Sequence, residues 1–261
     1  MSDAANGTVT GTAGAVSLRA EGVTLGHDGA APVVTGLDLT VRAGEVLAVA
    51  GPSGCGKSTL LRALAGLLPV RAGRITADGA PITGPSADRA LVFQDDALLP
   101  WRTARRNVEL PLAIRGVPRA RRRERAERWL ARVGLADAAG RLPRELSGGM
   151  RQRVQLARAL AGEPRAVLMD EPFGALDAQT RRAMQHLLVE VLADAPATVV
   201  FVTHDVDEAL LVGDRVVVLG PSGVAAEVLP DPAAPAGAQR AEILAALGAR
   251  PGPRPAVKEP V

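Results

Sequence analysis

The sequence predicts an α/β fold in which a mostly parallel central sheet is flanked by helices and carries an antiparallel β edge and a helical insertion. Three observations predict it. Short, nearly continuous apolar runs alternate with helical stretches, as expected for strands covered on both faces. One of these runs, residues 45–50 (EVLAVA), passes through a glycine-rich loop directly into the helical pattern TLLRALAGLL. Residues 95–145, by contrast, hold no comparable strand, and their centre is Arg-rich and helical.

The elements follow in order. Residues 1–14 lack a basic start and an apolar stretch, and read as a loose leader rather than a secretory signal. Residues 16–25 and 37–41 are β-rich and separated by a Gly/Pro segment, which predicts the antiparallel edge. The strand at 45–50, the loop and its helix come next, and further buried strands are expected at 90–93, 166–169, 198–202 and 215–219. Within the insertion a helix begins near Pro118, with Ala126, Trp129, Leu130 and Val133 as its packing stripe. Arg121, Arg122, Arg123, Arg125, Arg128 and Arg132 take most other positions, open to two readings: an anion-binding patch, or a solvated face in which Glu124 pairs with Arg128. From Pro230 onward the chain is rich in Pro, Ala and Gly, with a short helix over 238–247. The expected organisation is a leader (1–14), one domain (15–229) with an inserted helical subdomain at about 95–163, and an extension (230–261).

Composition narrows the partners. The 261 residues are 47% hydrophobic and 23% charged, which excludes a chain disordered throughout. A formal charge of +3 is too small a surplus to make nucleic acid the expected partner. Cys55 is the single cysteine, which excludes an intrachain disulfide and a Cys-rich zinc site and fits a reducing cytosol. No run offers the roughly 18 apolar residues of a membrane span. Lys57 and Lys258 are the only lysines, so chemistry needing an ammonium outside the tail rests on Lys57.

Gly51-Pro52-Ser53-Gly54-Cys55-Gly56-Lys57-Ser58 satisfies GxxxxGK[ST], between a strand and a helix that continues from Thr59. Glycines permit a loop whose N–H groups converge on phosphate oxygens, Lys57 reaches the β- and γ-phosphates, and the Ser58 hydroxyl is a Mg²⁺ ligand. Cys55 fits the loop by its small size, with a redox role as the alternative. The apolar run AVLMDE at 166–171 ends in adjacent carboxylates that can divide labour: Asp170 on Mg²⁺, and Glu171 orienting and deprotonating water. Ser147, before Gly148 and Gly149, is a helix N-cap in an anion-receptive turn. His204, after the strand TVVFVT, taken alone reads as a polar cap of the next helix.

The phosphate loop, LSGG at 146–149, the strand ending in Asp170-Glu171, ALD at 175–177 and His204 together resemble the ATPase domains of ABC transporters in motif identity and order. Gln94, after ALVF, looks like that family's Q-loop residue. The resemblance covers about residues 16–228 and implies a P-loop NTPase core of ABC ATPase fold. It implies a head-to-tail homodimer holding two ATP molecules, each between the phosphate loop of one chain and the LSGG turn of the other. It further implies that Gln94 senses Mg²⁺ and the attacking water, that Asp177 lies at the dimer seam and that His204 contacts the γ-phosphate. Two departures stand out. Met150 replaces a usual Gln after LSGG, and His27 is the nearest planar group where the family usually stacks an aromatic ring on adenine.

The segment FQDDALLPWRTARRNVELPL at 93–112 resembles importer ATPases for nitrate, taurine, sulfonates and thiamine precursors. That likeness implies permease subunits, a solute-binding protein in the complete system, and a cytoplasmic position on the inner face of the membrane. Leu98, Leu99 and Trp101 are the candidate docking surface, with Trp101 in the insertion's own core as the alternative. An ABC exporter or lipoprotein-extraction ATPase is the alternative transport reading, and a soluble non-transport ABC ATPase the remoter one.

Overall fold

A computed structural model describes residues 14–26, 29–193, 197–220, 223–231 and 237–248. Two sheets face each other. Strands β1 (Leu18–Leu25), β2 (Val34–Val41), β4 (Ala72–Ala77) and β5 (Ala80–Pro81) form an antiparallel sheet in the order β2-β1-β4-β5. Strands β3 (Val46–Ala50), β6 (Arg89–Val92), β7 (Ala166–Asp170), β8 (Thr198–Thr203), β9 (Arg215–Gly220) and β10 (Gly223–Val228) form the second, in the order β10-β9-β3-β8-β7-β6. All its pairings are parallel except β9 with β10. The expected antiparallel edge is therefore present but larger than the sequence indicates. β4 and β5 escape notice because five of their eight positions are exposed, with a glycine, an arginine and a proline among them.

Helix α1 (Lys57–Ala65) lies between the sheets. Its Leu60, Leu61 and Leu64 share one core with Leu18 and Leu25 of β1, Leu47 of β3 and Val200 of β8. Burial of both faces explains the continuous apolar reading of β3 and β8. The opposite face of the parallel sheet is covered by α5 (Ala178–Ala193), whose Met184 and Leu188 pack with Phe201 of β8. The sheets are also tied by a buried ion pair: Arg215 at the start of β9 holds Glu45 and donates to the Thr40 carbonyl of β2. That bond with Glu45 pushes the guanidinium pKa up.

The insertion has its own core. Helices α2 (Ala104–Ile114), α3 (Arg119–Arg132) and α4 (Gly148–Ala161) bury Val108, Leu112, Ala126, Leu130, Val133 and Val154 together. Pro118 does precede the first turn of α3, and the expected stripe faces inward, with Trp129 at its margin. Arg128 pairs with Glu124 at 3.0 Å, Arg123 with Glu127 at 2.9 Å and Arg125 with Glu163 at 3.2 Å, which favours the solvated-face reading of the arginines. Leu98 is a correction: it belongs to this core rather than to a docking surface, whereas Trp101 is 71% exposed and no part of the core. The short helix in the extension is α7 (Ala238–Gly248), and it packs Ile243 against β9, β10 and α6 (Val206–Val212). Among the described residues no helix is long and apolar enough to cross a membrane.

Candidate nucleotide site

The phosphate loop turns because two of its glycines take conformations that a side chain resists: Gly54 has φ 79° and Gly56 φ 104°. A Cβ on Gly56 would also stand 2.4 Å from Val34 Cγ2. Gly56 caps α1 without any side-chain bond, which leaves the first N–H groups of the helix to an incoming anion. Pro52, Ser53 and Gly54 form the exposed rim, while Gly51, Cys55, Gly56 and Thr59 lie beneath it. Cys55 packs close enough to Gly51 that a Cβ there would meet its Sγ at 2.6 Å. Burial pushes the Cys55 thiol pKa up, away from the reactive thiolate, so the small-size reading of this residue is the one the structure favours.

Lys57 is buried, and its Nζ donates to the carbonyls of Gly51 at 2.8 Å and Pro52 at 3.1 Å. The ammonium also lies 4.0 Å from Glu171 Oε1. Ser58 Oγ donates to Asp170 Oδ1 at 2.8 Å, joining the loop to the end of β7 across 112 residues of chain. Glu171 follows with φ 43°, in the left-handed region, and this unusual backbone turns its side chain toward the loop. Its Oε2 lies 2.9 Å from His204 Nδ1. His204 therefore does not cap the next helix; Asp205 does, accepting from the N–H groups of Asp207 and Glu208. Gln94 shares this space, since a Cβ on Gly174 would lie 3.7 Å from Gln94 Nε2 and 3.8 Å from Glu171 Oε2.

Ser147 caps α4, accepting from Met150 N at 3.2 Å, and is exposed with Gly148. Gly149 packs so near α5 that a Cβ would stand 2.7 Å from Thr180 Cγ2. Asp177 caps α5, accepting from Gln179 N, Thr180 N and Thr180 Oγ1, and these bonds hold its carboxyl below the usual range. The side-chain bonds of the phosphate loop instead run to Gly51, Pro52, Asp170 and Glu171, with none from the Ser147 turn. Thus one chain gathers Lys57, Ser58, Gln94, Asp170, Glu171 and His204, and presents Ser147, Gly148 and Asp177 outward, with Gly149 half-buried against α5. His27 lies outside the described residues.

Sequence reasoning missed how the Gln94 segment is held. Gln152 donates to the Gln94 carbonyl at 3.3 Å, and Gln155 to the carbonyls of Phe93 and Asp95 at 3.0 and 3.1 Å. Arg151 binds Asp96 at 2.7 Å, and Arg158 binds the Ala97 carbonyl at 2.7 Å. The available signal was a polar stripe at 151, 155 and 158, spaced four and three along one face of α4.

Burial is the largest influence on Asp170, and with the adjacent Glu171 charge it raises the pKa above the usual 3.8, although the Ser58 bond opposes this. A folded chain that binds this proton more tightly than the unfolded chain loses the associated stability as pH rises through the raised value. Over the pH range above about 4, Asp170→Asn should therefore gain in melting temperature relative to the parent as pH rises, measured without ligand. A constant difference across that range would contradict the raised pKa.

These features define a nucleoside triphosphatase built on a phosphate loop. The ABC transporter family model matches residues 34–174. The chain belongs to that family as an ABC ATPase, whose ATP hydrolysis is coupled to transport. It is 50% identical over 206 residues to the taurine import ATP-binding protein TauB of Chromobacterium violaceum, covering 78% of this chain and 79% of that one. Among solved structures it is similar to the dimeric post-hydrolysis state of the ATP-binding cassette MJ0796 bound to ADP and Pi, with TM-score 0.72, 32% identity and coverage of 82% and 99%. It is also similar to cbiO1 of Clostridium perfringens, part of the ABC transporter complex cbiONQ, with TM-score 0.74, 28% identity and coverage of 82% and 88%.

Proposed function

We propose that this chain is the ATPase subunit of an importer for taurine or a related small sulfonate, working as a head-to-tail dimer beneath a membrane permease. The observation that carries the dimer is the division of the site: Lys57, Ser58, Asp170, Glu171 and His204 converge, while Ser147 and Asp177 face outward with no nucleotide-binding partner of their own chain. The matched taurine import protein supports the solute class, and the dimeric cassette supports the assembly.

The residues fit Mg²⁺ and ATP. Ser58 and Asp170 are hard oxygen donors already within 2.8 Å of each other. Among the described residues no group of three His, Cys, Asp or Glu could hold a metal by itself, which suits a cation completed by nucleotide phosphates and water. Bound there, Mg²⁺ would neutralise charge on the phosphate oxygens. Lys57 supplies the ammonium for the β- and γ-phosphates. Glu171 has Oε2 engaged by His204 Nδ1, which leaves Oε1 to accept the proton of an attacking water. Gln94, held by α4, orients that water, and Asp177 and the Ser147–Gly149 turn act on the nucleotide of the partner copy.

Trp101, exposed on the insertion, is the candidate anchor for the permease, with Leu99 half-buried beside it. This attachment sets the chain on the cytoplasmic face of the membrane, with a solute-binding protein completing the system. Reconstitution with its permease tests the reading: taurine or an alkanesulfonate delivered by the solute-binding protein should stimulate ATP turnover and be taken up. Outward movement of substrate would favour the exporter reading instead. His27 in place of a larger aromatic predicts that GTP is hydrolysed within about tenfold of the ATP rate, since lost stacking costs about 1 kcal/mol of discrimination. A thousandfold preference for ATP would assign adenine recognition to another residue.

A further inference from the structure

Two buried polar side chains beside the site have no part in the chemistry above: Glu208 of α6 and Gln185 of α5, 5% and 7% exposed. Gln185 Nε2 donates to Glu208 Oε1 at 3.0 Å, and the buried Thr203 hydroxyl at the end of β8 donates to Glu208 Oε2. Thr203 Oγ1 in turn accepts from the backbone N–H of Asp205 at 3.0 Å. His204 is the single residue between those two anchored positions. An ionised carboxylate suits the junction because it only accepts, one bond on each oxygen. Its burial pushes the Glu208 pKa up, a cost that an apolar residue packed at the same place would avoid. Gln185 stands on the helix that Asp177 caps. A continuous hydrogen-bonded path thus joins the helix of the outward-facing Asp177 to the turn that presents His204 to Glu171.

We infer that Glu208 is a positioning residue, which couples the seating of α5 to the aim of the His204 side chain. This rests on the reading that His204 acts on the γ-phosphate and that Asp177 meets a second copy. The path makes α5 and the His204 turn move together, so closure at the seam is transmitted to the reacting centre without touching the bound nucleotide.

The test exchanges donor and acceptor. Gln185→Glu alone sets two buried carboxylates against each other, and adding Glu208→Gln restores an amide–carboxylate bond of reversed direction while its carbonyl still accepts from Thr203. We expect Gln185→Glu to lower kcat about tenfold or more with KM for ATP within about twofold, and the double variant to return kcat to within about threefold of the parent. Thr203→Val, nearly isosteric and lacking only the hydroxyl, should also lower kcat at unchanged KM, and keeps the test decisive if Gln185→Glu fails to fold. The His204 imidazole, one of three in the chain, should show its ATP-analogue-dependent NMR shift in the double variant and lose it in Thr203→Val. Parent-like kcat in Thr203→Val, or a double variant that melts like the parent yet stays as slow as Gln185→Glu, would overturn the inference. His204→Ala separates the two failures. Parent-like turnover in that variant defeats the role given to His204, whereas loss of turnover there with parent-like Gln185→Glu and Thr203→Val defeats only the coupling.

Discussion

Glu171→Gln is expected to lower ATP hydrolysis at least about a hundredfold while leaving ATP affinity within a few-fold of the parent. The amide keeps the size and the hydrogen-bonding reach of the carboxylate but cannot take a proton from water. Its effect should fall on kcat because the contact of Glu171 with the loop that grips phosphate is a long one, Oε1 to Lys57 Nζ at 4.0 Å. The strained backbone of Glu171 is unaltered by this change, so the fold should not suffer. Single-turnover hydrolysis and equilibrium nucleotide binding separate the two quantities. Hydrolysis at the parent rate would show that another group accepts the proton.

Lys57→Ala should have the largest effect on binding itself, lowering ATP affinity about a hundredfold or more by loss of charge-assisted bonds to phosphate. No other lysine lies among the described residues to replace it. The Nζ is also tied to the Gly51 and Pro52 carbonyls, so the loop loses its internal brace together with its charge. Lys57→Arg should not restore affinity, because a planar guanidinium cannot occupy the buried position of a compact ammonium between two carbonyls. Titration calorimetry with Mg·ATP reads both variants. Unchanged affinity in Lys57→Ala would remove the phosphate loop from the account.

Much of the site was legible because its parts are local. The loop from Gly51 to Ser58 carries its strand and helix with it, the carboxylates of Asp170 and Glu171 end an apolar run, and Ser147 precedes a helical pattern as a cap should. The parallel strands were legible because burial on both faces leaves a continuous apolar signature, whereas β4, half exposed, left none. Contacts across long separations were not legible. Nothing in the pattern near Gln94 shows that Gln152 and Gln155 would reach its segment, or that Gln185 would meet Glu208. Leu98 was misplaced for a related reason: an apolar LLPW segment shows that something is covered, and only the packing of α2 and α4 shows that Leu98 is covered from within while Trp101 is not.

The most direct measurement of the central claim, that ATP is held between two copies of this chain, is sedimentation velocity of the Glu171→Gln protein with and without ATP. If, as proposed, the partner's Ser147 turn supplies half of each nucleotide site, then with hydrolysis blocked the protein should sediment as a dimer with ATP and as a monomer without it. Adding Ser147→Arg should abolish the ATP-dependent dimer, since a bulky cation would stand where a hydroxyl and backbone N–H groups must approach phosphate. A Glu171→Gln protein that binds ATP yet stays monomeric, or a double variant that still dimerises on ATP, would contradict the shared site.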